Sequence, residues 1–415
     1  MIDLTKLLLK NQPISIAFIL LGLFPIFPFN LKPVIVGVVI AISVFYYFKR
    51  AETVFSNIYL FNGILFILYG ISFFYSQDKV YALKRLETSL SLVLLPIFFI
   101  LLSSGVLSKK TLLHIEKVFF KTFYFSVLLM SIVIYIYICS LGYFNGLVSY
   151  SFCLSYIEHR LWVFNDHPIY ISIFLAIALI FSIRLYKSGS KYIKALILIG
   201  DLVVLSTLFF LSRKGVIIAL IISFIFLAFK TLRFTKIRVL YLAAVAIFMA
   251  VFFFISSSQS KRFKEIFNQE TYTNSINENL SSTSIRFGIY KCAVKQIPQS
   301  GFFGFGIGDV KHALQDCYQE TSALLVNKNY NTHNQYLNTI LATGVIGLLI
   351  FCFSLFMLFR FSINRNDYIF TAVLIFYSIA LLTENILDRQ NGIILFSILI
   401  NYFTFQNILK IKFDE

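Results

Sequence analysis

Runs of about twenty consecutive apolar residues, separated by short polar stretches, recur along almost the whole chain. As α-helix, a run of that length crosses roughly 30 Å of hydrocarbon. Twelve runs are present, at about 14–29, 31–48, 57–75, 88–104, 119–141, 168–186, 192–211, 214–230, 239–256, 335–359, 367–384 and 392–409. The pattern predicts an all-α polytopic membrane protein of about twelve transmembrane helices. Pro25, Pro28 and Pro33 punctuate the first two runs, and Pro96 interrupts the fourth. Leu7 to Lys10 lead into the first run without a small-residue cleavage site, so that run is expected to remain as an anchor. One long polar interval, 257–332, divides the chain. It separates an N-terminal bundle of about nine spans (1–256) from C-terminal helices of the same membrane domain (333–415).

Composition and charge then set the orientation. Of 415 residues 59% are apolar and 13% charged, against about 25% charged in a soluble domain. With the N-terminus in the cytoplasm, the inner segments hold twenty Lys and Arg and the short outer ones eight. The remaining eight lie in 257–332, a length that the positive-inside rule does not count. Both termini are therefore expected in the cytoplasm and 257–332 in the periplasm. The net charge of +17 is topological first and calls for no nucleic acid.

Within the long segment, the Asn/Ser-rich start reads as a mobile lid or loop. "IRFGIYKCAVKQI" has apolar residues at helical spacing and predicts an amphipathic helix on the membrane surface. "PQSGFFGFGIGD" then reads as a flexible turn returning the chain to the membrane. Its Gly301, Gly304, Gly306 and Gly308 make neither a P-loop nor a dinucleotide fingerprint. Of five cysteines, Cys292 and Cys317 share this segment and either pair in an oxidising compartment or stay reduced, while Cys139 and Cys352 read as inert core residues. No Cys/His spacing or carboxylate cluster suggests a metal, and no cofactor is expected. Asp201 lies within an apolar run, where a charge costs about 2.5–3.5 kcal/mol, so it should face the bundle interior.

The densest candidate chemistry is "NTHNQYLNTILATGVIGLLIF", Asn331 to Phe351. Thr332 and Gln335 have the spacing of a capping box, which places His333 in the first helical turn. There the positive end of the helix dipole would disfavour imidazolium and leave the ring able to accept a proton. Eleven residues at 100° each bring Gly344 within about 20° of His333, and Gly347 falls about 40° to the other side. Glycines on that face would let a neighbouring helix approach closely and fix the histidine. A histidine that merely caps a packed interfacial helix would show the same spacing.

"HNQYLNTILATGVIG" resembles the signature of the O-antigen ligase and polymerase superfamily: His-Asn, nine residues, Gly, two residues, Gly. His333, Asn334, Gly344 and Gly347 fill its fixed positions. The layout is similar too, with about twelve spans, cytoplasmic termini and one large periplasmic loop before the histidine helix. "SRKG" at Ser212–Gly215, Arg286 in the loop, "FGFGIGD" and "ENILDRQNG" also resemble stretches of the family. The likeness covers the C-terminal half well and the N-terminal half mainly by topology.

The resemblance implies a membrane glycosyltransferase of the bacterial inner membrane. Such an enzyme moves a glycan en bloc from an undecaprenyl-diphosphate carrier to an acceptor hydroxyl, without a metal. His333 would accept or orient the hydroxyl proton. Arg213 and Arg286 would face the diphosphate, since guanidinium keeps its charge and forks onto phosphate. Asn334, Lys214, Arg85, His167 and Arg389 are further candidates for substrate contact, and Gly344 and Gly347 are structural. An interface anchor remains the plainer reading of Arg213 and Arg286. For Arg85 and Lys84 it is contact with lipid headgroups, for Asp166, His167 and Tyr170 a polar loop, and for Glu384 and Arg389 a simple ion pair. Implied partners are the lipid-linked donor, a lipid A-core or growing-glycan acceptor, and membrane lipids. Within the family, ligase, repeat-unit polymerase and protein oligosaccharyltransferase share these motifs. A lipid-linked glycan transporter is the alternative of a different class, which paired repeats and broken helices would favour; neither shows in the sequence.

Overall fold

The structure, a computed structural model, describes residues 12–50, 53–106, 108–159, 166–231, 282–321 and 323–414. The expected span at 239–256, the polar stretch 257–281 and Arg160 lie outside these. α1 (Gln12–Gly22) leads through two short 3-10 turns at Phe24–Ile26 and Phe29–Leu31 into α2 (Lys32–Arg50). The prolines stand here because a fixed φ and a missing N–H suit turns and first helical positions. α3 (Ile58–Tyr75), α4 (Lys79–Ser89), α5 (Ser91–Leu102), α6 (Lys109–Ser140) and α7 (Tyr150–His159) follow. Then come α8 (Pro168–Ser188), α9 (Lys191–Leu211) and α10 (Lys214–Thr231). The segment before the histidine folds as α11 (Ser282–Ser300), α12 (Val310–Thr321) and α13 (Ala323–Lys328). The chain closes with α14 (Gln335–Asn364), α15 (Tyr368–Thr383) and α16 (Gln390–Asp414).

Among the described residues nine helices are long and apolar enough to cross a membrane, α4 and α5 counting as one, and α15 is a shorter apolar helix. Two of them are interior. Along α16 the whole apolar window is buried, and α8 is nearly so, the mark of a helix apolar on all sides. α16 packs against α3, α5 and α6; α8 packs against α6, α9 and α10. Several polar groups inside are matched to one another. Asn62 donates to Asn401 at 2.7 Å, Ser397 donates to the Ser91 carbonyl at 2.9 Å, and Asn407 donates to Asp367 at 2.7 Å. Asp201 does face inward, accepting from Ser182 at 2.8 Å and Tyr124 at 3.0 Å. The outward faces stay apolar, with Leu202 on α9 and Leu349 and Phe356 on α14 exposed, as hydrocarbon contact requires.

Several expectations change. Lys32 is wholly buried, pairs with Asp166 and lies over the rings of Phe24 and Phe174. Asp166, also held by Asn391, is thereby a structural clamp rather than part of a plain polar loop. Cys139 and Cys352 are exposed on their helices, not core residues. Cys292 and Cys317 form a disulfide, Cα atoms 5.7 Å apart, joining α11 to α12. α11 docks on α14 as well as α12, burying Ile289, Cys292 and Ala293.

The largest revision concerns α14, which is broken at Gly344, whose φ of 69° and ψ of −173° leave the helical region. No helix fills the space there. The glycine-rich loop does, because Gly304 lies against the Ala342 and Gly344 backbone and Gly344 against the Phe302 carbonyl. The carbonyls of Leu341 and Ala342, freed by the break, accept from Phe305 N at 2.8 Å and Gly306 N at 3.1 Å; Ile346 N reaches Phe302 O at 3.4 Å. Irregular backbone at membrane depth persists only where such partners exist. The loop is equally fixed at its other edge. Ser72 and Ser76 accept from Ile307 N and Gly308 N, and the Asp309 carboxylate accepts from Gln77 N and Asp78 N. It is a docked segment, not a flexible turn. Gly347 leaves room for the Thr343 side chain rather than for a neighbouring helix.

Candidate functional site

The start of α14 is capped by Asn334, whose side-chain oxygen accepts from Tyr336 N at 2.9 Å and Leu337 N at 3.1 Å. This replaces the expected capping box. Thr332 instead reaches Asn385 at 2.9 Å and the Asn334 carbonyl at 2.8 Å, and Gln335 bridges Tyr69 and Leu387 N. His333 therefore precedes the cap and lies outside the first turn, at φ 45°. Asn331 accepts from its backbone N–H at 3.2 Å and Tyr290 donates to its carbonyl at 3.2 Å. An uncommon backbone conformation for a non-glycine residue is thus fixed from both sides.

The His333 ring meets a carboxylate, not a bare helix dipole. Its Nδ1 lies 3.0 Å from Glu384 Oε2, while Glu384 Oε1 pairs with Arg286. Burial alone would raise the Glu384 carboxyl, but the His333 hydrogen bond and the Arg286 charge outweigh it and hold the group below the usual range. An ionised carboxylate only accepts, so Nδ1 donates to it and, whenever the ring is neutral, Nε2 carries the lone pair. A base oriented by a third group is the general arrangement for taking a proton from a hydroxyl. Glu384 is thus the partner of His333 and Arg286 rather than of Arg389. Sequence reasoning gave Glu384 to Arg389, because 51 positions separate it from His333. Its one legible trace is an acid directly after an apolar span.

Arg213 stands nearby. Ser212 turns the chain at φ 50°, and Gly215 abuts Thr383, the residue before Glu384, where a Cβ would overlap its side chain. "SRKG" therefore sets Arg213 beside the end of α15, with Lys214 opening α10 behind it. The Arg213 Nε is buried and has no hydrogen-bond partner among the described residues. Burial lowers its pKa from the ordinary value, against the pull of Tyr150, Glu384 and Glu158. Arg389 adds a second cation, felt with Arg213 at His167.

His167 caps α8, its Nδ1 accepting from Ile169 N at 3.2 Å, and its Nε2 lies 3.6 Å from Glu158. Burial chiefly, then Arg213 and Arg389, push its pKa down to about 4 against Glu158 and Glu384. The unfolded chain binds that proton near pH 6.5. Stability is therefore full above about 6.5 and falls as pH drops toward about 4. His167→Asn, which keeps a capping oxygen, should lose less thermal midpoint between pH 7 and pH 5 than the wild type. Equal losses would show that His167 does not titrate in this window.

The candidates thus divide. His333, Glu384, Arg286, Arg213, His167 and Arg389 gather at one end of the bundle. Arg85 does not join them as a free cation: it is buried and bound to the Asp388 carboxylate and carbonyl. Asn334 is occupied as a cap at its oxygen.

Residues 199–352, from α9 through the first half of α14, match the family model described as O-antigen ligase. This stretch is similar to O-antigen ligases. It contains Arg213, Arg286, His333 and the break at Gly344; Glu384 and Arg389 lie beyond it. No curated protein matches the chain.

Proposed function

We propose that the chain transfers a glycan en bloc from an undecaprenyl-diphosphate carrier to an acceptor hydroxyl at the outer face of the bacterial inner membrane, with both termini in the cytoplasm. The observation that carries this reading is the His333–Glu384–Arg286 chain beside Arg213. His333 Nε2 takes the acceptor proton, the oxygen attacks the anomeric carbon, and the diphosphate leaves with the charge that Arg213 and Arg389 neutralise. Arg286 keeps Glu384 ionised, and Glu384 keeps the ring in the required tautomer. The disulfide Cys292–Cys317 supports the outward orientation of 257–332, since such bonds persist in oxidising compartments. Ligase-type transfer to lipid A-core is the reading preferred here, with repeat-unit polymerisation next. The broken α14 does not turn the reading toward a transporter, because loop backbone fills the break.

The direct test is transfer from purified lipid-linked glycan. Arg213→Ala should remove charge-assisted contacts of about 1.5–3 kcal/mol each and so lower kcat/KM at least tenfold. Arg213→Lys should recover only part, keeping the charge without the planar fork. Full activity in both would reduce Arg213 to an interface anchor.

A further inference from the structure

We propose that a cleft between α11, α12 and the α3–α4 junction is a second glycan subsite, built for neutral or amino-substituted sugars. It rests on the glycosyltransferase reading above and adds where the glycan beyond the reacting sugar lies. The cleft has a volume of about 580 Å³, inside the range of small-ligand sites. Lys295 and Gln299 line it and lie about 140–180° round α11 from Arg286. Gln296, which also lines it, lies about 80° from Arg286, so the cleft runs round the flank of α11 away from Arg286.

Its floor is Gln296, only 6% exposed and without a hydrogen-bond partner among the described residues. Its amide nitrogen and oxygen are not sealed from solvent, so both are open to a ligand in the cleft. The surrounding acids are unequal. Asp309 is taken up by the Gln77 and Asp78 amides, Asp78 caps α4 and faces His312 at 3.2 Å, and Glu320 pairs with Lys295 at 2.6 Å. Asp316 and Gln299 have no such partner among the described residues and line the cleft with Gln296. Amides that donate and accept beside a carboxylate that accepts match the adjacent hydroxyls of a sugar, and Phe305 offers an apolar face for the ring. Four carboxylates against Lys295 and His312 make the lining acidic. Asp78, through the Tyr81 amide, and Glu320, through Lys295, both sit below the usual carboxylate range. Uronate sugars are therefore repelled. The disulfide Cys292–Cys317 joins the two walls and pre-forms the cleft.

The test is calorimetric titration of the full-length protein in detergent with lipid-free oligosaccharides, released by mild acid from the producing strain's surface polysaccharide. Asp316→Ala, an exposed change that does not threaten the fold, and Gln296→Leu should each weaken binding about tenfold or more. Pentagalacturonate should bind the wild type far more weakly. Unchanged affinity in both variants overturns the subsite, and equal binding of the galacturonate overturns its charge selectivity. In transfer assays of Asp316→Ala, a raised KM for the lipid-linked donor places the donor glycan in the cleft, and a raised KM for the acceptor places the acceptor there. His333→Asn should bind the oligosaccharides as the wild type does. If that variant also transfers normally, the catalytic reading fails while the cleft stands.

Discussion

Replacing His333 should lower glycan transfer by about 10²–10⁴-fold, the usual cost of removing a positioned proton acceptor, while the protein still inserts and accumulates. His333→Asn is the cleaner variant, because asparagine tolerates the left-handed backbone found there and alanine does not. The expected loss is in kcat, since the ring acts on the proton as the acceptor oxygen attacks and contributes little to holding the donor. Glu384→Gln probes the same chain from behind. The amide cannot hold the Nδ1 proton with the same charge and releases Arg286, so activity should fall while donor binding persists. The assay is transfer from purified lipid-linked glycan, with folded protein measured alongside. A well-folded His333→Asn protein that transfers at the wild-type rate would leave the residue as a joint in the backbone and nothing more.

Gly344→Ala should act on the fold instead. The Gly344 backbone lies where only glycine is comfortable, at a cost of about 1–3 kcal/mol for any other residue. The added methyl would also overlap the Phe302 carbonyl, which is backbone and cannot rotate away. Moving that carbonyl breaks its contact with Ile346 N and loosens the neighbouring pair at Phe305 and Gly306. Total destabilisation of several kcal/mol is a large fraction of typical stability. The expected result is little monodisperse protein in detergent and a marked drop in thermal midpoint. Gly70→Ala serves as the matched control: that glycine is inside α3 with open space around it, so the change should be neutral or mildly stabilising. Equal behaviour of the two variants would mean that the break does not depend on glycine.

The hydrophobic pattern made the membrane architecture legible, because each span is a local property of about twenty residues. Of the predicted runs, those within the described residues coincide with helices, except that the first is helical only as far as Gly22 and then turns at its prolines. The site was legible only in its local parts. His333 stood out for its place at the edge of a span, and Arg213 for being basic where topology does not ask for it. Glu384 and the loop at 302–306 were not legible, since each acquires meaning from a residue far away in sequence. Gly344 was read correctly as a position of close approach, but a helical wheel assumes an unbroken helix and so named the wrong neighbour; Gly347 only makes room for Thr343 on its own helix. The reading of His333 by helix dipole failed for a similar reason: one residue of difference in the cap put the ring beside a carboxylate.

The pairing of the glycine-rich loop with the broken helix has a consequence for biogenesis. The loop amides at Phe305 and Gly306 precede the carbonyls of Leu341 and Ala342 in the chain, so the nascent protein makes the donors before the acceptors. Synthesis proceeding from the N-terminus thus has the partners of the break waiting when α14 emerges, and the interrupted helix need not linger unsatisfied in lipid.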